Sequence, residues 1–566
     1  MKWVSFILVS FFFVCTTSAQ TIVRTSQELK TVLSLDQEVG VVLLDGDWFN
    51  IEGLEVKMGG KIKPFGRRRP VLVGFQQTVK KRNDTKVIGG YWTTRINGYG
   101  AAHYIFLDES FEAIKRATTV DGKEFMYLKA SDLQRTNKST RAIKIRIPSN
   151  FASLLNKDEK DLKTTMLKVG YWFVQFNVFN LKSDGVFLYG QIDNSYNYNL
   201  LDIRPEAKVT VSFFNIPFED GGVFLDGKDI LHVPSYYSTV RVCCSDNILT
   251  LKGDRELTIE GLTFAGSMTP IEIQGANKHI NKCYFKNCGR GIHCDYGVTN
   301  MASACSVIDC RFENLYNNNA ITFVGCDDVV VANNNIHRTG TVNKGGCVIQ
   351  VGGNSFKVEH NIIQCYSYIG IYAGISRQYA AARMTGCIKD NLVDNLENWG
   401  QANRQLTDGG GIYVIAHTDG VVIENNIVRN IGYDGGELWG IYLDGGAYNC
   451  TTRRNLIYNL WPGHVVMASV CFDECEHSCM NNIVEDNIFI GSCKISGNRN
   501  GYGNKTVIRN NYIAGDLMTL GDEFVEHYGN KFVSATVEKD GKIVLSKGER
   551  IRKRGFTRSI KRLIKG

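Results

Sequence analysis

The sequence predicts a parallel β-helix, an all-β solenoid in which each repeat adds one coil to a common core. A short phrase recurs between residues 255 and 516 at intervals of about 22 to 35 residues: an apolar residue, two polar residues, an Asn or Cys, and an apolar pair. The repeats are short, alternating and rich in β-branched residues, as strands are. They carry no helical apolar stripe, so each repeat closes its core only against its neighbours.

Each copy of the phrase is anchored by one small or polar residue at the same place. The anchors are Gly261, Cys283, Cys310, Asn334, Asn361, Asn391, Asn426, Asn455, Asn487 and Asn511. In coils stacked about 4.8 Å apart, asparagine side chains can bond one another and the turn backbone. Cysteine would fill the same inward slot as a small apolar residue. The sequence therefore predicts a ladder of buried amides along the axis.

The 17 cysteines are unevenly distributed, since all but one follow residue 242. Several occupy rung positions, where we interpret them as buried thiols. Cys471, Cys475 and Cys479, with His477 between them, do not match a zinc-binding spacing. A disulfide in a loop is the favoured interpretation of that run, because export permits disulfides. We therefore predict no metal site.

The first 19 residues are typical of a secretory signal peptide. Lys2 gives a positive start, and the apolar stretch from Val4 to Val14 is too short to span a bilayer. Thr17-Ser18-Ala19 supplies the small residues of a cleavage site after Ala19. We expect a secreted or periplasmic protein whose mature chain has no membrane span.

The segments outside the repeats are expected to form caps at the two ends of the β-helix and an insertion beside it. Residues 20–84 hold the first rungs and a helical cap, which begins at the capping-box sequence Thr25-Ser26-Gln27-Glu28. Residues 85–240 alternate in polarity with irregular spacing, which predicts an antiparallel β insertion. The main β-helix follows over residues 241–516, and residues 517–566 form a C-terminal cap with a basic tail.

The net charge of +8 comes largely from this basic tail. We interpret the tail as a solvated segment or a terminal helix, with acidic glycans or a membrane surface as alternative partners. The sequence has no nucleic-acid-binding signature, so a nucleic-acid partner is not predicted.

A second strand in each repeat predicts a row of outward side chains. If the Ile of each copy points inward, the next residue points outward, because strand side chains alternate. This outer row comprises Glu272, His293, Thr322, Gln350, Tyr372, Tyr413 and Tyr442. Three successive tyrosines on an exposed face predict either a platform for sugar rings or a structural aromatic stack.

Acidic residues beside the outer row give the strongest chemical signal. Asp408 stands four residues before Ile412, and Glu437 stands four residues before Ile441. On neighbouring rungs their carboxyls would lie about 5 Å apart, which suits a nucleophile and an acid/base in retaining glycoside hydrolysis. Two close carboxyls also hold their pKa values apart, as that chemistry requires. For any single acid, capping of a turn is the structural alternative.

Asp444 ends the next strand and faces outward by the same alternation. It lies about 23 Å along the strand direction from the level of Asp408, so only a bend or a loop would bring the two together. The candidate substrate contacts are Tyr372, Tyr413, His417, Trp439, Tyr442 and His464.

Four motifs connect the chain to known proteins: Val87-Ile-Gly-Gly-Tyr-Trp92, Leu257-Thr-Ile-Glu-Gly-Leu-Thr-Phe264, Asp408-Gly-Gly-Gly-Ile-Tyr413 and Gly440-Ile-Tyr-Leu-Asp444. With them the sequence resembles secreted right-handed β-helix carbohydrate enzymes, especially the glycoside hydrolase family that includes bacterial α-L-fucosidases. The resemblance implies a right-handed coil, and it points to Asp408 and Asp444 as the catalytic pair. In relatives the last motif often ends in two Asp, whereas Gly445 takes the second place here.

These observations lead us to expect a secreted glycoside hydrolase that acts on a plant or host polysaccharide or oligosaccharide without a cofactor. One alternative is a polysaccharide lyase on the same fold, which would abstract a proton with Lys or Arg beside an acidic sugar, often with Ca²⁺. Arg290, Lys344 and Arg377 are the candidates for that role. The other alternative is a non-catalytic glycan-binding surface protein, because a fold does not fix a function. The oligomeric state does not follow from the sequence.

Overall fold

The computed structural model describes most of the chain after residue 19. The described residues are 20–75, 77–88, 91–96, 105–115, 125–135, 142–171, 174–192, 208–214, 222–225, 230–243, 245–295, 302–341, 345–374, 384–395, 409–415, 418–431, 438–460, 468–472, 481–496, 506–520, 525–538, 541–546, 548–552 and 554–565. The predicted signal peptide lies outside them.

The described residues form the predicted right-handed parallel β-helix, whose wall consists of three long parallel sheets. Each coil passes through sheet 1, then sheet 2, then sheet 3. Sheet 1 has 12 strands: Leu54–Val56, Asn247–Lys252, Thr269–Gln274, Ile292–Asp295, Ile321–Val324, Cys347–Gly352, Ile369–Ala373, Gly409–Val414, Leu438–Leu443, Ala468–Phe472, Ser492–Ser496 and Leu517–Leu520.

The other two walls are as long as the first. Sheet 2 has 14 strands: Gln20–Val23, Glu38–Leu44, Gly59–Pro64, Leu257–Glu260, Lys278–Asn281, Ser306–Ile308, Val330–Ala332, Phe356–Glu359, Gly386–Lys389, Val422–Glu424, Thr451–Arg453, Ile483–Glu485, Thr506–Arg509 and Val525–Tyr528. Sheet 3 has 13 strands: Trp48–Asn50, Val71–Val73, Thr263–Ala265, Tyr284–Lys286, Arg311–Glu313, Asn335–His337, Ile362–Gln364, Leu392–Asp394, Ile427–Ile431, Leu456–Leu460, Ile488–Ile490, Tyr512–Ala514 and Lys531–Phe532.

The predicted amide ladder is present at the corner between sheet 2 and sheet 3. We call it the asparagine column; its members are Asn334, Asn361, Asn391, Asn426, Asn455, Asn487, Asn511 and Asn530. The Nδ2 of Asn334 donates to Oδ1 of Asn361 at 2.9 Å and to the carbonyl of Val307 at 2.9 Å. The backbone N–H of Asn334 donates to the same Oδ1 at 3.0 Å. This pattern repeats from coil to coil, so the buried amides satisfy the corner backbone.

The residue before each member of the column turns the chain outward. Asn333, Asp390, Arg454 and Asp486 have φ values of 57°, 56°, 55° and 56°. This left-handed conformation makes the sharp corner. It directs the column residue inward and its predecessor towards solvent.

Cysteine extends the asparagine column, as predicted. The N–H of Cys310 donates to Oδ1 of Asn334 at 2.9 Å, and the N–H of Cys283 donates to the Cys310 sulfur at 3.4 Å. Eight cysteines of the described core are buried free thiols: Cys283, Cys288, Cys294, Cys305, Cys310, Cys326, Cys347 and Cys450. Cys387 is a half-buried one. Burial raises the pKa of the Cys288 thiol to about 12, so it remains a neutral core side chain. The predicted disulfide run lies largely outside the described residues, because Cys475 and Cys479 are not among them.

A helix covers the N-terminal end of the core. It spans Ser26–Leu33, and the Thr25 side chain accepts a hydrogen bond from the N–H of Glu28 at 3.1 Å. The Glu28 carboxylate accepts from the N–H of Arg24 at 2.7 Å rather than from that of Thr25. The predicted cap is therefore present with a shifted capping box, and it buries Leu29 and Leu33.

An antiparallel sheet of seven strands lies within the predicted insertion. Its strands in sheet order are Phe125–Lys129, Lys208–Phe214, Met166–Tyr171, Val174–Ser183, Phe187–Ile192, Ala142–Arg146 and Leu133–Arg135. It has an apolar core of its own, which includes Val169, Leu188 and Phe213. The boundaries at residues 85 and 240 stay a prediction.

Shorter elements complete the described fold. Three short sheets have three strands each: Phe224–Leu225, Ile230–Pro234 and Tyr91–Arg95; Gln77–Lys80, Thr239–Cys243 and Ile105–Leu107; and Ala535–Val537, Ile543–Leu545 and Ile564–Lys565. Two others have two strands each: Ala302–Ser303 with Cys326–Asp327, and Thr418–Asp419 with Ala447–Tyr448. The other helices are Ala152–Leu155, Glu159–Thr164 and Arg558–Leu563, with 3₁₀ turns at Ala130–Asp132 and Ser149–Phe151. Among the described helices, none is long and apolar enough to cross a bilayer.

The C-terminal segment folds back against the outer face of sheet 3. Ile543, Phe556 and Ile560 pack in one apolar cluster with Ile488 and Tyr512 of that sheet. The segment ends in the helix Arg558–Leu563, whose basic side chains are exposed while Ile560 is buried. This agrees with the terminal-helix interpretation of the basic tail.

Candidate functional site

The outer row of sheet 1 has the predicted register. Glu272 pairs with His293, Gln350 with Tyr372, and Tyr413 with Tyr442. The inward neighbours of these residues are fully buried in the core, as the alternation requires. The row therefore runs along one outer wall of the β-helix, and residues far apart in sequence become neighbours there.

The prediction of an exposed tyrosine platform is wrong for two of the three tyrosines. Tyr413 is 4% exposed and Tyr442 is 0% exposed, whereas Tyr372 is only partly buried. Their rings pack on one another, with Tyr372 edge-on to Tyr413 at 5.4 Å and Tyr413 stacked on Tyr442 at 4.5 Å between centroids. Alternation gives the direction of a side chain from the coil, but it does not give the packing around it. The structural aromatic stack is the correct alternative here.

Asp444 is also buried, which corrects its predicted outward exposure. It is 3% exposed, and its carboxylate accepts a hydrogen bond from the Tyr413 hydroxyl at 2.5 Å. It also accepts from the N–H of Gly445 at 2.6 Å. Asp444 therefore ties the end of one sheet 1 strand to the tyrosine of the preceding coil, as a charge-assisted bond between neighbours does.

Trp439 lies beside the stacked tyrosine rings, and its indole N–H donates no hydrogen bond within the described part of the chain. Its ring is 4.2 Å from that of Tyr442, and the residue is 6% exposed. The indole Nε1–H is buried without a hydrogen-bond partner in the structure. A buried donor without a partner costs free energy, so it commonly marks a place that a ligand or water fills. The contact of Trp439 with a substrate stays a prediction.

The three glycines before Ile412 are required by close packing. A Cβ on Gly409 would lie 2.6 Å from the Tyr368 ring, and one on Gly410 would lie 2.4 Å from the carbonyl oxygen of Trp439. A Cβ on Gly411 would lie 2.4 Å from the Val428 side chain. The Gly-Gly-Gly run thus allows the strand to approach its neighbours closely at the start of sheet 1.

Four predicted site residues lie outside the described residues: Asp408, His417, Glu437 and His464. The residues that follow the two acids are described, and Gly409 pairs with Leu438. The predicted lyase residues Lys344 and Arg377 also lie outside the described part of the chain.

The sequence analysis placed Glu272 and His293 in the outer row but did not predict that they form a polar pair. His293 Nδ1 and Glu272 Oε2 are 3.0 Å apart, and both side chains are about one-fifth exposed, at 21% and 23%. Arg290 is half-buried nearby, and its Nε has no hydrogen-bond partner. Burial lowers the pKa of Arg290, against the opposite influence of Glu272 and Asp295. The sequence did contain a sign of this pair, because Glu272 and His293 are polar residues at successive positions of the row.

Within the described residues, no group of three or more His, Cys, Asp or Glu side chains is arranged to hold a metal ion. The described side chains of the site are carboxylate, phenol, indole and imidazole groups, which can form hydrogen bonds, and of which the carboxylate and imidazole can also transfer protons.

Comparisons with known proteins agree with the fold. A family model described as a right handed beta helix region matches residues 221–378. A solved structure described as "Glycoside hydrolase" superimposes with a TM-score of 0.52 at 10% identity, and the match covers 90% of this chain and 91% of that one. At that identity the likeness establishes the fold alone.

Two further solved structures are similar with lower scores. One is a complex of XylC with xylose, with a TM-score of 0.35, 12% identity and coverage of 88% of this chain and 66% of that one. The other is a polygalacturonase from Erwinia carotovora, with a TM-score of 0.32, 9% identity and coverage of 50% and 87%. None of the curated proteins compared with the chain matches it in sequence.

Proposed function

We propose that the protein is a secreted glycoside hydrolase that cleaves a polysaccharide or oligosaccharide at the outer wall of sheet 1. The observation that carries the proposal is the pairing of Gly409 with Leu438. Asp408 and Glu437 directly precede these two residues in the sequence. Equivalent positions on paired strands are about 4.8 Å apart, close to the separation of about 5 Å between the carboxyls of retaining glycosidases.

In this proposal one carboxylate attacks the anomeric carbon while the other protonates the departing glycosidic oxygen. The glycosyl-enzyme ester is then hydrolysed by a water that the second residue deprotonates, which restores both groups. The proximity of two like charges would hold the acid protonated while the nucleophile stays ionised. No cofactor enters the reaction.

The described residues around the pair supply binding and support. The buried N–H of Trp439 would donate to a sugar hydroxyl, and the partly exposed Tyr372 would contact a sugar ring. His417 and His464 are proposed as further contacts. Asp444 is a positioning residue in this scheme, because it holds the Tyr413 hydroxyl beside the strand that Asp408 precedes.

The test is a screen of sugars released from plant and host glycans by the mature protein and by the variants Asp408→Asn and Glu437→Gln. Each variant should lower turnover by about 100-fold or more, as loss of a catalytic carboxyl does. Asp328→Asn is the matched control, since Asp328 is an exposed corner residue with φ of 54°, a conformation that Asn also adopts. Equal activity in all four proteins would refute the assignment.

The same screen decides the alternatives. A lyase would release products with ultraviolet absorbance from a new double bond, whereas a hydrolase releases reducing ends without it. The specific observation that favours a lyase is Arg290, half-buried beside the Glu272–His293 pair, which could face an acidic sugar. Loss of such absorbance in Arg290→Gln and not in Asp408→Asn would support the lyase. Sequencing of the exported protein's N terminus checks the proposed cleavage after Ala19.

A further inference from the structure

A cavity of about 510 Å³ lies at the corner between sheets 2 and 3, under the C-terminal segment. Its charged lining consists of Arg454, Lys531, Arg552, Arg554 and Asp486. Four cations and one carboxylate line the cavity, so its lining is mainly basic. This corner is separate from sheet 1, whose strands Gly409–Val414 and Leu438–Leu443 directly follow the proposed hydrolytic residues in the sequence.

Two different parts of the fold hold the cations in place. Arg454 is a left-handed corner residue of the β-helix, with φ of 55°, and one of its terminal nitrogens pairs with the Glu424 carboxylate. Its Nε is buried without a hydrogen-bond partner. The Lys531 ammonium lies 5.7 Å from the centre of the Tyr512 ring. These two cations therefore belong to the coils of the β-helix.

The tail brings the other two cations to the cavity. Ile551 and Phe556 are buried in the cluster on sheet 3, at 7% and 4% exposure, and they anchor the chain on both sides of the arginines. The backbone N–H of Arg552 donates to the Tyr512 hydroxyl at 2.8 Å. Within the described residues, Lys531, Arg552 and Arg554 form no ion pair.

We propose that this cavity binds the sulfate or carboxylate groups of an acidic polysaccharide. Arginine presents a planar fork of donors that matches an oxyanion, so two arginines beside a lysine favour such a group over a neutral sugar. Lys531, Arg552 and Arg554 are exposed cations that form no ion pair among the described residues, and a bound anion would lower their mutual repulsion. The volume is within the range of about 300–1,000 Å³ typical of small-ligand sites and exceeds the need of one free oxyanion. The proposal does not depend on hydrolysis at sheet 1.

The test measures binding of the mature full-length protein to chondroitin sulfate, polygalacturonate and neutral dextran by titration calorimetry. The pocket variant carries Arg552→Gln and Arg554→Gln. The matched control carries Arg558→Gln and Arg562→Gln, two exposed arginines of the terminal helix that lie outside the cavity lining. Both double variants remove the same charge, so long-range attraction falls equally in the two.

We expect an acidic polysaccharide to bind the unaltered protein, and dextran to fail. The pocket variant should lose about tenfold or more in affinity, because charge-assisted hydrogen bonds are lost, while the control changes by less than about threefold. Preference for chondroitin sulfate or for polygalacturonate identifies sulfate or carboxylate as the recognised group.

Three outcomes would overturn the proposal. Equal losses in the pocket and control variants would show a diffuse attraction without a site. Competition by inorganic sulfate at the same concentration of sulfate groups would show that the cavity takes the free anion. Absence of acidic-polysaccharide binding, with pocket-dependent binding of anionic lipid vesicles instead, would assign the cavity to a membrane surface.

Discussion

The asparagine column and the outer row follow the same axis of the same coils, yet they differ in how they are stabilised. In the column, each amide bonds the next amide and a backbone carbonyl of the preceding coil at 2.8 to 3.0 Å. In the outer row, the character of the members changes from Glu272 and His293 to the packed rings of Tyr413 and Tyr442. The column is a uniform ladder, whereas the row changes from coil to coil.

The difference shows which part of a β-helix is free to acquire a function. An inward position must satisfy the same corner backbone in every coil, so its residue type is restricted. An outward position has no such obligation, and its environment depends on neighbouring side chains and loops. In this protein we therefore expect the functional residues in the outer row, and we expect the asparagine column to stabilise the fold.

The largest expected effect comes from breaking the column. Asn334→Ala removes the acceptor of the Cys310 N–H and the donor to the Val307 carbonyl, and leaves both groups buried. We expect the free energy of unfolding to fall by about 3 kcal/mol, as two unsatisfied groups imply. Urea denaturation measures it. Asn335→Ala, at the adjacent exposed position, is the control and should change stability by less than about 0.5 kcal/mol. Equal effects would contradict the role of the column.

The next effect tests the close packing beside the outer row. Gly410→Ala would place a Cβ 2.4 Å from the Trp439 carbonyl oxygen, a backbone atom that cannot rotate away. We expect a loss of about 2 kcal/mol and reduced turnover, because the strand before Tyr413 must shift. Gly420→Asn is the control, since Gly420 has φ of 89° and no other atom lies within 4 Å of the place that its Cβ would take. A fully active, stable Gly410→Ala protein would show that the approach is not required.

A smaller effect is expected from the hydrogen bond between Tyr413 and Asp444, which belongs to the outer row and not to the column. Tyr413→Phe removes the donor of this hydrogen bond, and Asp444→Asn replaces its charged acceptor with a neutral amide oxygen. A double-mutant cycle should give a coupling free energy of about 1–2 kcal/mol, since the bond is charge-assisted and buried. Turnover should fall in both single variants without loss of binding if Asp444 positions the site. Additive effects would show that the two residues act independently.

The smallest effect concerns the corner residue next to the column. Burial is the main cause that raises the pKa of Asp390, and it outweighs the influence of Lys389 and His360. The folded state therefore binds the proton more tightly than the unfolded state, so the ionised carboxylate costs stability at neutral pH, and this cost disappears below about pH 4. Asp390→Asn, at φ of 56°, should stabilise by less than about 1 kcal/mol at neutral pH.

The pH dependence is the check on this assignment. The gain from Asp390→Asn should vanish in urea denaturation at about pH 3, where Asp390 is protonated in both states. Asp309→Asn, at the exposed corner position with φ of 57°, is the control for the change of side chain. A gain that is the same at both pH values would attribute the effect to backbone preference alone.

The repeated part of the fold could be predicted closely. The first rungs expected within residues 20–84 are present, among them the strands Leu54–Val56 and Val71–Val73. The pairing of Tyr372, Tyr413 and Tyr442 is as predicted. Each repeat presents the same pattern to its neighbours, so the period alone fixes the register. The candidate site was less predictable, because it depends on residues that differ between coils. The direction of Tyr413 followed from alternation, but its burial and its bond to Asp444 did not.

By itself, the sequence determined the β-helix, its capped N-terminal end, the asparagine column and the order of the outer row, because these depend on periodic contacts between neighbouring coils. Only the tertiary structure decided that Tyr413, Tyr442 and Asp444 are buried, that the Trp439 N–H has no partner, and that the basic tail closes over Arg454 and Lys531. The physical reason is that burial and electrostatic environment depend on every group that packs nearby, whereas register depends only on the next coil.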